Sequence, residues 1–124
     1  MRKIIYGDIN LKKLHLTDLS ECDLSDVDVT GDYHCSYNNL TSLKGAPQTV
    51  GGEFYCHSNH LTSLEGAPLY ITSNFSCNSN PLTSLEGIPK TVGRDFYISK
   101  ELKDKFPEEC IRSMCKIAGK VRYI

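Results

Sequence analysis

Apolar residues recur along this chain at a step of 21 residues, far longer than the period of a single helix or strand. The tetrapeptide Leu-Thr-Ser-Leu begins at Leu40, Leu61 and Leu82. The same step links Tyr33, Phe54, Phe75 and Phe96; Val29, Val50, Ile71 and Val92; Cys35, Cys56 and Cys77; Asn38, Asn59 and Asn80; and Pro47, Pro68 and Pro89. A fixed period of this size marks a solenoid, whose units bury their apolar side only by stacking on one another. Equivalent positions then form ladders along the axis, with parallel strands about 4.8 Å apart.

Within a unit such as Phe54-Tyr55-Cys56-His57-Ser58-Asn59-His60-Leu61-Thr62-Ser63-Leu64, apolar residues alternate and then recur three apart. This order predicts a short strand, a tight turn and a return arm. Alternation turns the aromatic and cysteine rows inward. It turns Lys13, His15, Asp32, His34, Ser36, Glu53, Tyr55, His57, Asn74, Ser76, Asn78, Asp95, Tyr97 and Ser99 outward. Asn38, Asn59 and Asn80 suit the turn, because an amide side chain satisfies backbone groups that a bend leaves unpaired. Gly45-Ala46-Pro47, Gly66-Ala67-Pro68 and Gly87-Ile88-Pro89 end the return arm, since proline cannot extend a ladder.

One step back from Leu40, Leu43, Val50 and Cys35 lie Leu19, Cys22, Val29 and Leu14, which predicts an earlier, degraded copy. One step forward from Cys77 lies Ile98, but Glu101 follows where asparagine is due, which predicts a half-built last coil. From Pro107 to Gly119 the spacing predicts a capping helix with Cys110, Ile111, Met114, Cys115, Ile117 and Ala118 on its apolar stripe. Val121 to Ile124 fits either a terminal strand or a segment packed on that cap. The reading is one domain over 1–124: N-terminal cap and degraded repeat in 1–28, repeats in 29–99, helical C-terminal cap in 100–124.

The unit resembles the leucine-rich repeat, L-x-x-L-x-L-x-x-N-x-L-x-x-L-P, and most closely its short bacterial form. Phe54 and Cys56 stand at its two strand leucines, Asn59 at its asparagine, and Leu61 and Leu64 follow. An aromatic at the first strand position, Cys at the second and Glu-Gly-Ala before the proline depart from the pattern. The resemblance covers roughly residues 11 to 100. It implies an α/β solenoid: a leucine-rich-repeat coil with a parallel β-sheet on one face, closed by the C-terminal helix. Related repeats in bacterial effector ligases precede a large catalytic domain with a nucleophilic cysteine. Cys110 and Cys115, in the short stretch after these repeats, are not expected to inherit that role.

The formal charge of -1 gives no overall field toward phosphate backbones or anionic membranes, so neither nucleic acid nor membrane is an expected partner. Met1-Arg2-Lys3-Ile4-Ile5-Tyr6-Gly7 has too short an apolar run for a signal-peptide core, and a cytoplasmic location is expected, with the cysteines reduced. Three stacked thiols invite a metal, but a position that also accepts Leu14 and Ile98 behaves as a small apolar site. His15 and His57 share one register with Ser36 between them, which is too far for one ion. Ser42, Ser63 and Ser84 repeat as a set and are architectural, whereas a nucleophile is usually single. No enzyme activity, cofactor or metal is expected.

The outward face remains, and the candidate partner-binding residues are His34, Ser36, Tyr37, Glu53, Tyr55, His57, Ser76, Asn78 and Tyr97. Polar residues interleaved with tyrosines suit a protein interface. Short chains with Leu-Thr-Ser-Leu-Glu-Gly-Ala-Pro repeats resemble ones from tailed bacteriophages and bacteria. That resemblance implies a phage-encoded inhibitor binding a host bacterial defence protein of a restriction, BREX-like or CRISPR system. Alternatives are a virion or scaffold component, or a metal or thiol enzyme.

Overall fold

The computed structural model describes residues 2–124. Two parallel sheets of six strands each run the length of the molecule, each coil giving one short strand to both. The first sheet holds β1 (Lys3–Ile5), β3 (Val27–Val29), β5 (Thr49–Val50), β7 (Tyr70–Ile71), β9 (Thr91–Val92) and β11 (Lys116–Ile117), in that order. The second holds β2 (Ile9–Asn10), β4 (Tyr33–His34), β6 (Phe54–Tyr55), β8 (Phe75–Ser76), β10 (Phe96–Ile98) and β12 (Val121–Tyr123). The expectation of a sheet on one face is thus corrected to two sheets. The row Val29, Val50, Ile71, Val92, linked in the sequence only by the 21-residue step, pairs strand to strand as a ladder of its own.

A three-residue corner separates the two strands of a coil. At the corner the coils stack too closely for side chains: a Cβ on Gly51 would meet the Thr30 carbonyl, and one on Gly93 the Thr72 carbonyl. Polar side chains bridge successive corners. Asp8 Oδ1 accepts the Asp32 amide at 2.7 Å, Asp32 Oδ1 the Glu53 amide at 2.8 Å, Asn74 Oδ1 the Asp95 amide at 2.9 Å and Asp95 Oδ1 the Lys120 amide at 2.9 Å.

The core lies between the sheets and the return arms. Tyr33, Phe54, Phe75 and Phe96 are fully buried, with successive ring centroids 5.2, 5.9 and 5.1 Å apart. Such pairs contribute about 0.5–1.5 kcal/mol each beyond burial. Leu40, Leu43, Leu61, Leu64, Leu82 and Leu85 close the core from the return-arm side. Each turn asparagine joins two coils: Asn59 Oδ1 accepts the Leu40 amide at 3.1 Å, and its Nδ2 donates to the Cys35 and Cys56 carbonyls at 3.0 Å.

The ends depart from the 21-residue step. Ile9 pairs with Tyr33 and Phe96 with Val121, so the first step is 24 residues and the last 25. The register therefore places Leu11, not Leu14, behind Cys35; Leu14 is 53 % exposed. His15 likewise leaves the register of His57, which Lys12 takes over. The last coil contributes a strand to both sheets and is not half built. The extra residues of that step form a helix, α1 (Glu108–Met114), shorter than the sequence spacing predicts. Cys115 turns extended and the Lys116 amide donates to the Lys90 carbonyl. A helix of two turns is marginal alone, whereas the sheet edge offers hydrogen bonds to each residue that joins it. Ile117 accordingly enters the core from β11, while Met114 and Ala118 lie exposed. Tyr123 donates its hydroxyl to the Phe106 carbonyl at 2.6 Å, and Phe106, Ile111 and Cys115 are buried beneath this end.

Candidate functional site

The outer surface of the second sheet is built from residues that alternate with the buried aromatics and thiols. Pairing sets Asn10, His34, Tyr55, Ser76, Tyr97 and Arg122 in one row across the strands. The next row runs Lys12, Ser36, His57, Asn78 and Ser99. Beyond it, Lys13, Tyr37, Ser58 and Ser79 all have left-handed backbone, with φ of 57–60°. That conformation swings the chain from strand to turn and costs a non-glycine residue roughly 1 kcal/mol.

Four of the expected contact residues form a continuous ring cluster. The His34 and Tyr55 rings stack at 4.3 Å, Tyr37 meets His57 edge-on at 5.1 Å, and Tyr55 meets His57 at 6.2 Å. Lys13 Nζ lies 5.4 Å from the centre of the Tyr37 ring. Burial holds His57 below the usual imidazole range, with His34 and Lys12 adding repulsion, which favours its neutral form. Burial and the neighbouring Glu53 carboxylate push the Tyr55 hydroxyl upward. Tyr37 is 52 % exposed, while His34, Tyr55, His57, Asn78 and Tyr97 are half-buried.

Other expected contacts are placed differently. Ser36 and Ser76 lie in outward rows but are only 1 % and 6 % exposed. Each is a small side chain flanked along its row by larger neighbours, His57 beside Ser36 and Tyr55 and Tyr97 beside Ser76. Glu53 belongs to the corner, where its Oε1 accepts Asn74 Nδ2 at 2.8 Å. Sequence spacing missed Lys12, because the first step is longer than 21 residues. It gave no sign of a groove of about 440 Å³ between the Ser20 turn and the Gly45-Ala46-Pro47 and Gly66-Ala67 arms.

The thiols of Cys35, Cys56 and Cys77 point inward and donate to the Tyr55, Ser76 and Tyr97 carbonyls of the following coil at 3.3–3.4 Å. Burial pushes all three well above the ordinary thiol range. The protonated form is neither nucleophile nor metal ligand. Among the described residues, no three His, Cys, Asp or Glu side chains stand together as a ligand set, and no helix is long and apolar enough to cross a membrane.

Two parallel sheets of regularly stacked short strands, with one helix near the C-terminal end, define a solenoid-like repeat protein. Comparison with protein-family models, curated proteins and solved structures finds no match to the chain.

Proposed function

We propose that the chain is a non-enzymatic protein-interaction module of leucine-rich-repeat type, with its partner docking on the outer surface of the second sheet. The reading rests on the ring cluster of His34, Tyr37, Tyr55 and His57, which gives a rigid amphipathic surface on a backbone fixed by its neighbours. Tyrosine anchors on such a support lose little side-chain entropy on binding and dominate interface energies. The resemblance of the repeats to those of phage and bacterial chains supports a host bacterial protein as the partner. A component of a restriction, BREX-like or CRISPR system, covered by this module in the host cytoplasm, fits best.

Affinity purification from a bacterial host, followed by reconstitution with the recovered partner, tests the proposal. Tyr55→Ala with His57→Ala is expected to weaken binding about thirtyfold, the scale of one interface hot spot of ~2 kcal/mol. Undiminished binding by that folded variant would remove this surface from the function.

A further inference from the structure

The same surface carries a charge pattern that narrows the partner's chemistry, an inference resting on the reading above. Its three rows contain Lys12, Lys13, Lys100 and Arg122, together with His34 and His57, and none of their positions is Asp or Glu. The nearest side-chain carboxylates stand outside the rows: Asp8, Asp32, Glu53 and Asp95 along the corner, and Glu101 beyond Lys100, whose amide donates to the Ile124 carboxyl oxygen at 3.0 Å. Each corner carboxylate is engaged, Asp8 by the Asp32 amide, Asp32 by the Glu53 amide, Glu53 by Asn74, and Asp95 by the Lys120 amide and Arg122 Nε at 2.7 Å. Lys12, Lys13 and Lys100 form no ion pair among the described residues, although the chain as a whole has one more acidic than basic residue.

The cations occupy the two ends of the surface, with the ring cluster between them. Lys13 belongs to the first coil and Lys100 to the fifth, four strand steps or about 19 Å away. An extended segment of about six residues covers that length. We infer that the surface takes an extended acidic segment of the partner protein, lying across the strands with carboxylates at both ends and apolar or aromatic side chains over Tyr37, Tyr55 and His57. The corner carboxylates repel negative charge from one side and so fix the lateral position of the segment. They also oppose a phosphate backbone, whose evenly spaced charges do not leave the middle of the surface neutral.

The test is a titration of the isotope-labelled full chain with a synthetic octapeptide carrying Asp-Glu at each end and Leu-Tyr-Phe-Ser between, followed by amide shifts. Shifts are expected at Lys13, Tyr37, Tyr55, His57 and Lys100, with affinity falling as salt rises. Lys13→Glu with Lys100→Glu should weaken binding about tenfold. Because Lys13 has left-handed backbone, Lys12→Glu with Lys100→Glu serves as a second variant with the same expected loss. Absence of shifts on this surface, affinity indifferent to both charge reversals, or tighter binding of an oligothymidylate at the same residues overturns the inference. Loss of the recovered host partner with Tyr55→Ala and His57→Ala but not with the charge reversals overturns the acidic chemistry alone. Retention in all variants overturns the function as well.

Discussion

Tyr33 heads a column otherwise made of phenylalanine, and its hydroxyl is buried with no hydrogen-bond partner. A buried hydroxyl that gives up water without replacing it costs about 1–3 kcal/mol. Tyr33→Phe removes that oxygen and keeps the ring that stacks on Phe54, so the variant should gain about 1 kcal/mol, read as a higher urea midpoint at unchanged slope. A lower midpoint would show that the hydroxyl has a role in the core that its surroundings do not reveal. The column itself was legible in the sequence, because burial repeats the same residue type at the same interval. The exposure of Ser36 and Ser76 was not legible: alternation assigns a side of the sheet, while accessibility depends on neighbours brought from other coils.

Among the elements, the turn shows most directly why a polar residue belongs inside. Asn59 is 6 % exposed and spends its amide on the backbone of two coils. Asn59→Ala would strand the buried Leu40 amide and remove one of the two amide donors to the Cys35 carbonyl, which keeps Asn38 Nδ2. At about 1–3 kcal/mol for a stranded group, a loss of about 3 kcal/mol is expected from chemical denaturation. A loss below 1 kcal/mol would mean that the turn is satisfied by other means. The C-terminal elements teach the opposite lesson about sequence. Cys110, Ile111, Met114 and Cys115 have helical spacing, and the first three do lie in a helix, yet Cys115 turns extended and Ile117 joins β11. Helix and sheet edge compete for the same apolar residues there, and only the position of β9, far back along the chain, decides between them.

For the whole molecule, register is the controlling quantity. Deleting 54–74 joins Glu53 to Phe75 and removes one full 21-residue coil, so every row stays continuous. This chain should fold with parallel-sheet circular dichroism and a lower urea midpoint. Deleting 54–73 shifts each downstream side chain by one position, turns polar residues inward and should give no cooperative transition. Equal behaviour of the two deletions would contradict stacking by register. The solenoid was legible from the interior interval alone. Its two end steps of 24 and 25 residues were not, because an insertion leaves no mark in a pattern that has already become irregular.

The side-chain links between coils run in two directions. At the corner, Asp32 and Asp95 reach forward to an amide of the coil that follows, whereas at the turn Asn59 and Asn80 reach back to the coil before. Each end of a strand in the second sheet is therefore tied to a different neighbour. Under tension applied at the termini, no coil slides along its neighbour by releasing one fastening at a time, and the molecule should lengthen in discrete events of roughly 70 Å of contour per 21-residue coil.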